Sequence, residues 1–88
     1  MNTTKEEIGL KVKGFIQENF IFNDKVLDPQ ESLLGSGTID STGILEVISF
    51  LELTYGIHFE DNELVANNFD SIAKIQSFMM QKLGGAGS

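Results

Sequence analysis

A chain of 88 residues, 41% of them hydrophobic and carrying a formal net charge of −7, has material for one modest core and not for two. Cysteine is absent, which excludes a disulfide framework and a thiolate metal site, so any thiol chemistry has to come from an added group. No apolar run is long enough to cross a bilayer, and Met1-Asn2-Thr3-Thr4-Lys5-Glu6-Glu7 lacks the basic-then-apolar order of a signal peptide, so a cytoplasmic protein with no membrane association is expected.

The first helix begins at Thr4, which with Glu7 has the form of a capping box, and its apolar residues Ile8, Val12, Phe15, Ile16 and Phe20 recur at helical spacing. Leu10 falls opposite that stripe. Gly9 and Gly14 each cost about 1 kcal/mol against alanine in a helix interior, so this helix is soft. From Ile21 to Asp40 the periodicity fails and turn formers accumulate: Asn23, Asp24, Asp28, Pro29, Ser32, Gly35, Ser36 and Gly37. So long a connection in a small domain reads as an ordered loop with work to do, pinned to the core by Leu27, Leu33, Leu34 and Ile39. Asp28-Pro29-Gln30-Glu31 has the residues to cap a single helical turn within it.

The second helix runs from about Ser41 to Tyr55 and stops at Gly56. At 100° per residue, Ile44, Val47, Ile48, Leu51 and Tyr55 share a face that should be buried. Thr42, Leu45, Glu46, Ser49, Glu52 and Leu53 share the other, a surface of leucines, carboxylates and hydroxyls continuous with Ser41, where a partner is expected to dock. After the extended step Ile57-His58-Phe59, the stretch Asp61 to Ala66 reads as a short third helix. The last helix starts near Asp70-Ser71, carries Ile72, Ile75, Phe78, Met79 and Leu83 on one side, and stops at Gly84-Gly85. These elements predict an all-α four-helix bundle, three long helices and a short third, as one domain over residues 1–83 with a flexible tail at 84–88.

All six basic residues are lysines, and none lies between Asp28 and Asp70, a stretch holding nine acids. A surface of one sign repels nucleic acid and anionic membrane and attracts basic partner surfaces. Catalysis has little to stand on. His58 is the only histidine available as a base for Ser41, and Ile39-Asp40-Ser41-Thr42-Gly43 lacks the first glycine of a nucleophile elbow. Gly35-Ser36-Gly37-Thr38 lacks the lysine of a phosphate-binding loop. Glu60-Asp61-Asn62-Glu63 lacks the alternation of an EF-hand and is read as no metal site. What remains is a serine at a helix start, where the dipole and unpaired N–H groups favour an esterified phosphate by about 0.3–1 kcal/mol. A plain phosphoserine satisfies that argument equally.

Taken in order, the first helix, the long loop, Gly37-x-Ile39-Asp40-Ser41, the amphipathic second helix, Tyr55-Gly56-Ile57, Phe59-x-Asp61-x-Glu63-Leu64 and Asn68-Phe69-x-Ser71-Ile72 resemble the acyl carrier proteins and related peptidyl carrier domains. The resemblance spans about Lys5 to Leu83. It implies a non-enzymatic carrier in which Ser41 receives 4′-phosphopantetheine from coenzyme A through a separate phosphopantetheinyl transferase, and the arm's thiol holds acyl or aminoacyl cargo as a thioester. It also implies that Asp40 lies beside the attachment point and that Leu45, Glu46, Ser49 and Glu52 meet partner enzymes. Thr42-Gly43 after the serine, with only Glu46 and Glu52 as acids on the helix, departs from fatty-acid carriers. It is more similar to stand-alone carriers, expected as monomers, that are loaded by adenylate-forming ligases and serve downstream transferases in specialised lipid, polyketide or nonribosomal peptide pathways. The rival readings are a helical docking module with an acidic face, regulated by Ser41 phosphorylation, and a small hydrolase.

Overall fold

The computed structural model describes residues 4–21 and 27–87, and the described residues form four helices and no strand. These are α1 (Lys5–Phe20), α2 (Ser41–Tyr55), α3 (Ala66–Phe69) and α4 (Ile72–Gly87). α1 packs chiefly on α4 and also on α2, while α3 bridges α4 and α2.

Thr4 caps α1, its hydroxyl accepting the Glu7 N–H at 3.1 Å. Ile8, Val12 and Ile16 are fully buried, and Leu10 faces water at 71% exposure, as its position opposite the stripe requires. Gly9 is buried against the Gln76 side chain, whose amide donates to the Lys5 carbonyl at 2.9 Å. The glycine that softens α1 thereby leaves room for the Gln76 amide. α2 buries Ile44, Val47, Ile48 and Leu51, half-buries Tyr55, and ends where Gly56 takes the left-handed conformation at φ 64°.

Downstream, the short helix is not over Asp61–Ala66. Asp61–Glu63 is a single 3-10 turn, and α3 forms later, over Ala66–Phe69. Burial explains the shift. Leu64 and Val65 stay exposed and offer no core face, whereas Phe69 is fully buried and anchors the turn that carries it. α4 starts with Ser71 as cap, its hydroxyl accepting the Lys74 N–H at 3.1 Å, and buries Ile72, Ile75 and Met79. It continues through Gly84 and Gly85 to Gly87 rather than stopping at the first pair. A glycine ends a helix by turning left-handed, and among the described residues only Gly37 and Gly56 have positive φ.

Of the connection between α1 and α2, residues 27–40 are described; the expected turn formers Asn23 and Asp24 lie outside the described residues. Leu27, Leu33 and Ile39 are buried and Leu34 is half-buried. Asp28 makes a turn and not a helix: its carboxylate accepts the Gln30 N–H at 2.9 Å and its carbonyl the Glu31 N–H at 3.0 Å.

Candidate functional site

The start of α2 divides two tasks between adjacent residues. Asp40 is the cap, its Oδ1 accepting the Gly43 N–H at 2.8 Å while its carbonyl accepts the Ile44 N–H at 3.0 Å. Ser41 is then the first helical residue, exposed, and no described residue hydrogen-bonds its hydroxyl. Capping consumes the aspartate and leaves the serine oxygen to solvent. Gly43 explains how the loop reaches this point: a Cβ there would collide with Ile39 Cγ2 and stand 3.0 Å from Phe20 Cε1. The close approach that Gly43 permits is thus made by the chain's own Ile39, which locks the loop onto the first turn of α2.

Beside Ser41 lies an apolar groove of about 430 Å³ lined by Thr42, Leu45, Glu46, Ser49 and Leu53 of α2, with Phe15 and Phe50. Five of the residues expected on the docking face thus come together. Leu45 and Leu53 are 60% and 85% exposed and line the same groove, so they form a contiguous apolar patch, unlike the isolated Leu10 on α1. The sixth, Glu52, is not among the lining residues. It is half-buried, its carboxylate accepts the Phe59 N–H at 2.9 Å, and His58 Nδ1 stands 3.4 Å away, so it braces the chain leaving α2. Phe50 is the residue that the two-face division omits. Its ring stacks on Phe15 at 4.4 Å and 19°, forming part of the groove wall. At 100° per residue it falls on the boundary between the faces, next to Glu46, and a large aromatic at that boundary is the signal that could have found it.

Ser41 and His58 stand at opposite ends of the site helix, separated by about 20 Å at 1.5 Å per residue, so they do not form a serine–histidine dyad. Of the acids after Phe59, Glu63 is engaged: it accepts Lys82 Nζ at 2.9 Å and the Glu60 N–H at 2.8 Å. The Lys82 hydrogen bond, then that from Glu60, holds the Glu63 carboxyl below its ordinary value.

The loop that delivers Ser41 is held by a residue distant in the chain. Asp70 Oδ2 accepts the Ser32 hydroxyl at 2.7 Å and Oδ1 the Leu34 N–H at 2.9 Å, while the Asp70 carbonyl accepts the Leu33 N–H at 2.6 Å. Burial pushes the Asp70 carboxyl up, but the bonds from Ser32 and Leu34 and the nearby Lys74 charge together hold it below its ordinary 3.8. A carboxyl depressed in the fold stabilises it fully above the unfolded value and loses that contribution as pH falls through the lower folded value. The melting-temperature advantage of the native chain over Asp70→Asn should therefore be constant above about pH 5 and shrink below about pH 4. Parallel thermal melts across that range check it, and an advantage unchanged down to pH 3 would refute it.

No family model and no curated protein matches this chain. Among the described residues no helix is long and apolar enough to cross a membrane.

Proposed function

We propose that the chain is an acyl or aminoacyl carrier, with 4′-phosphopantetheine esterified to Ser41 and cargo held as a thioester on the arm's thiol. The observation that carries the reading is the exposed Ser41 hydroxyl at the first position of α2, left unused because Asp40 does the capping. The unsatisfied N–H groups and dipole of that turn favour the phosphodiester charge. With no cysteine in the chain, the prosthetic thiol has no competitor for cargo. A phosphopantetheinyl transferase is the first partner, an adenylate-forming ligase the loading enzyme, and downstream transferases the recipients. The face bearing Thr42, Leu45, Glu46, Ser49 and Leu53 is where they land, and Asp40 flanks the attachment oxygen.

Incubation with coenzyme A and a broad-specificity phosphopantetheinyl transferase, followed by intact mass measurement, should give a single addition of one phosphopantetheine. Ser41→Ala should abolish it. An unmodified native chain, or a gain that survives Ser41→Ala, would end the proposal. The exposed groove also favours a second reading, a docking module that binds a partner without any arm and is regulated by phosphorylation of Ser41. That module predicts partner affinity in the unmodified chain and a mass gain only with a kinase.

A further inference from the structure

We infer that Asp70, distant from Ser41 in the chain, is a positioning residue for the modification of Ser41, acting by fixing the loop that presents it; this rests on the carrier reading above. A residue at a helix start ordinarily spends its carboxylate on its own helix, but Ser71 caps α4, with its hydroxyl on the Lys74 N–H. The Asp70 carboxylate is therefore free to face the loop, and both of its oxygens do so, on Ser32 and Leu34.

The connection from there to the serine is continuous. Ser32 Oγ passes its grip on by accepting the Gly35 N–H at 2.8 Å. Leu33 is held on both sides, its N–H by the Asp70 carbonyl at 2.6 Å and its carbonyl by the Ile39 N–H at 3.1 Å. Ile39 is buried and packs directly on Gly43, and the next residues are the Asp40 cap and Ser41. A second strap runs from the Ala73 N–H to the Pro29 carbonyl at 2.9 Å, so both ends of the turn at 29–34 are tied to the α3–α4 junction. Removing the carboxylate leaves the helices folded and takes away two of the bonds that hold the segment between Ser32 and Ser41, which then samples other arrangements more often. A transferase that needs one arrangement then meets it in a smaller fraction of molecules, which raises the apparent KM for the carrier in inverse proportion and leaves kcat alone.

The test compares the native chain, Asp70→Ala, Asp70→Asn and Ser32→Ala as substrates for the transferase with coenzyme A, alongside amide hydrogen exchange at Leu34 and Ile39 and far-UV circular dichroism. Asp70→Ala should keep native helix content, raise KM for the carrier roughly tenfold at unchanged kcat, and speed exchange at both amides. Asp70→Asn, which keeps one carbonyl acceptor, should fall between it and the native chain. Ser32→Ala, which removes only the hydroxyl bond, gives the same sign and answers the question if Asp70→Ala fails to fold. A native KM in Asp70→Ala, or a loss confined to kcat, overturns the inference. If the native chain itself is never modified, the carrier reading falls instead, and the clamp is then decided by exchange alone: unchanged rates at Leu34 and Ile39 overturn it, faster rates sustain the loop-fixing role.

Discussion

Phe69→Ala should cost about 3–5 kcal/mol of stability, the range for emptying a buried aromatic site. A domain of this size holds about 4–13 kcal/mol in total, so the variant sits near the edge of folding. The effect is large because α3 has only four residues and Phe69 is the buried one. Its ring meets Phe59 edge-on at 5.4 Å and Phe78 at 5.5 Å, and those two stand 5.7 Å apart, so three rings close a cluster joining the exit of α2, α3 and α4. Removing the central ring takes away area burial and two edge contacts worth about 0.5–1.5 kcal/mol each. Urea unfolding followed by far-UV circular dichroism measures the cost. Leu64→Ala, at a neighbouring exposed position, should stay within about 0.5 kcal/mol of native. A loss below 1 kcal/mol in Phe69→Ala would mean that α3 is an ornament on a three-helix core. Because Asp70 follows Phe69 directly, the same variant should also loosen the loop that leads to Ser41.

Where the sequence was legible, local rules and burial agreed. α2 is the clearest case: the aspartate before the first helical residue, the spacing of Ile44, Val47, Ile48 and Leu51, and Gly56 at the end each point to the same helix, and its bounds match. The five groove residues on its outer face followed from the same wheel. Legibility failed where a residue's fate was set by a distant partner. Nothing local says that Glu52 is held by the Phe59 N–H, that Phe50 stacks on Phe15, or that Asp70 serves Ser32 and Leu34 and not α4. The misplaced third helix has the same root. Asp61–Ala66 has acceptable helical composition, but its apolar pair finds no core, and the turn forms where Phe69 does. Gly84 and Gly85 misled differently: glycine permits a helix stop without enforcing one, and α4 runs on.

Leu45→Arg should separate recognition from folding. Leu45 is 60% exposed in the groove one turn beyond Ser41, so its replacement should leave stability within about 0.5 kcal/mol of native. For a partner seated on that groove, the change removes an apolar anchor and places a long cation on a face whose own charge is the Glu46 carboxylate. The acidic middle of the chain, nine acids without a lysine or arginine from Asp28 to Asp70, would favour a partner with a basic surface, and an arginine there would repel it. Central anchors of interfaces are worth 2 kcal/mol or more, which corresponds to about a thirtyfold rise in KM for the transferase. Leu10→Arg is the control, more exposed at 71% but on α1 opposite its buried stripe, and should change neither stability nor KM. If Leu45→Arg raises KM less than threefold, the landing surface lies elsewhere. If both leucine variants raise it equally, the effect is one of net charge, and the groove has no special part in recognition.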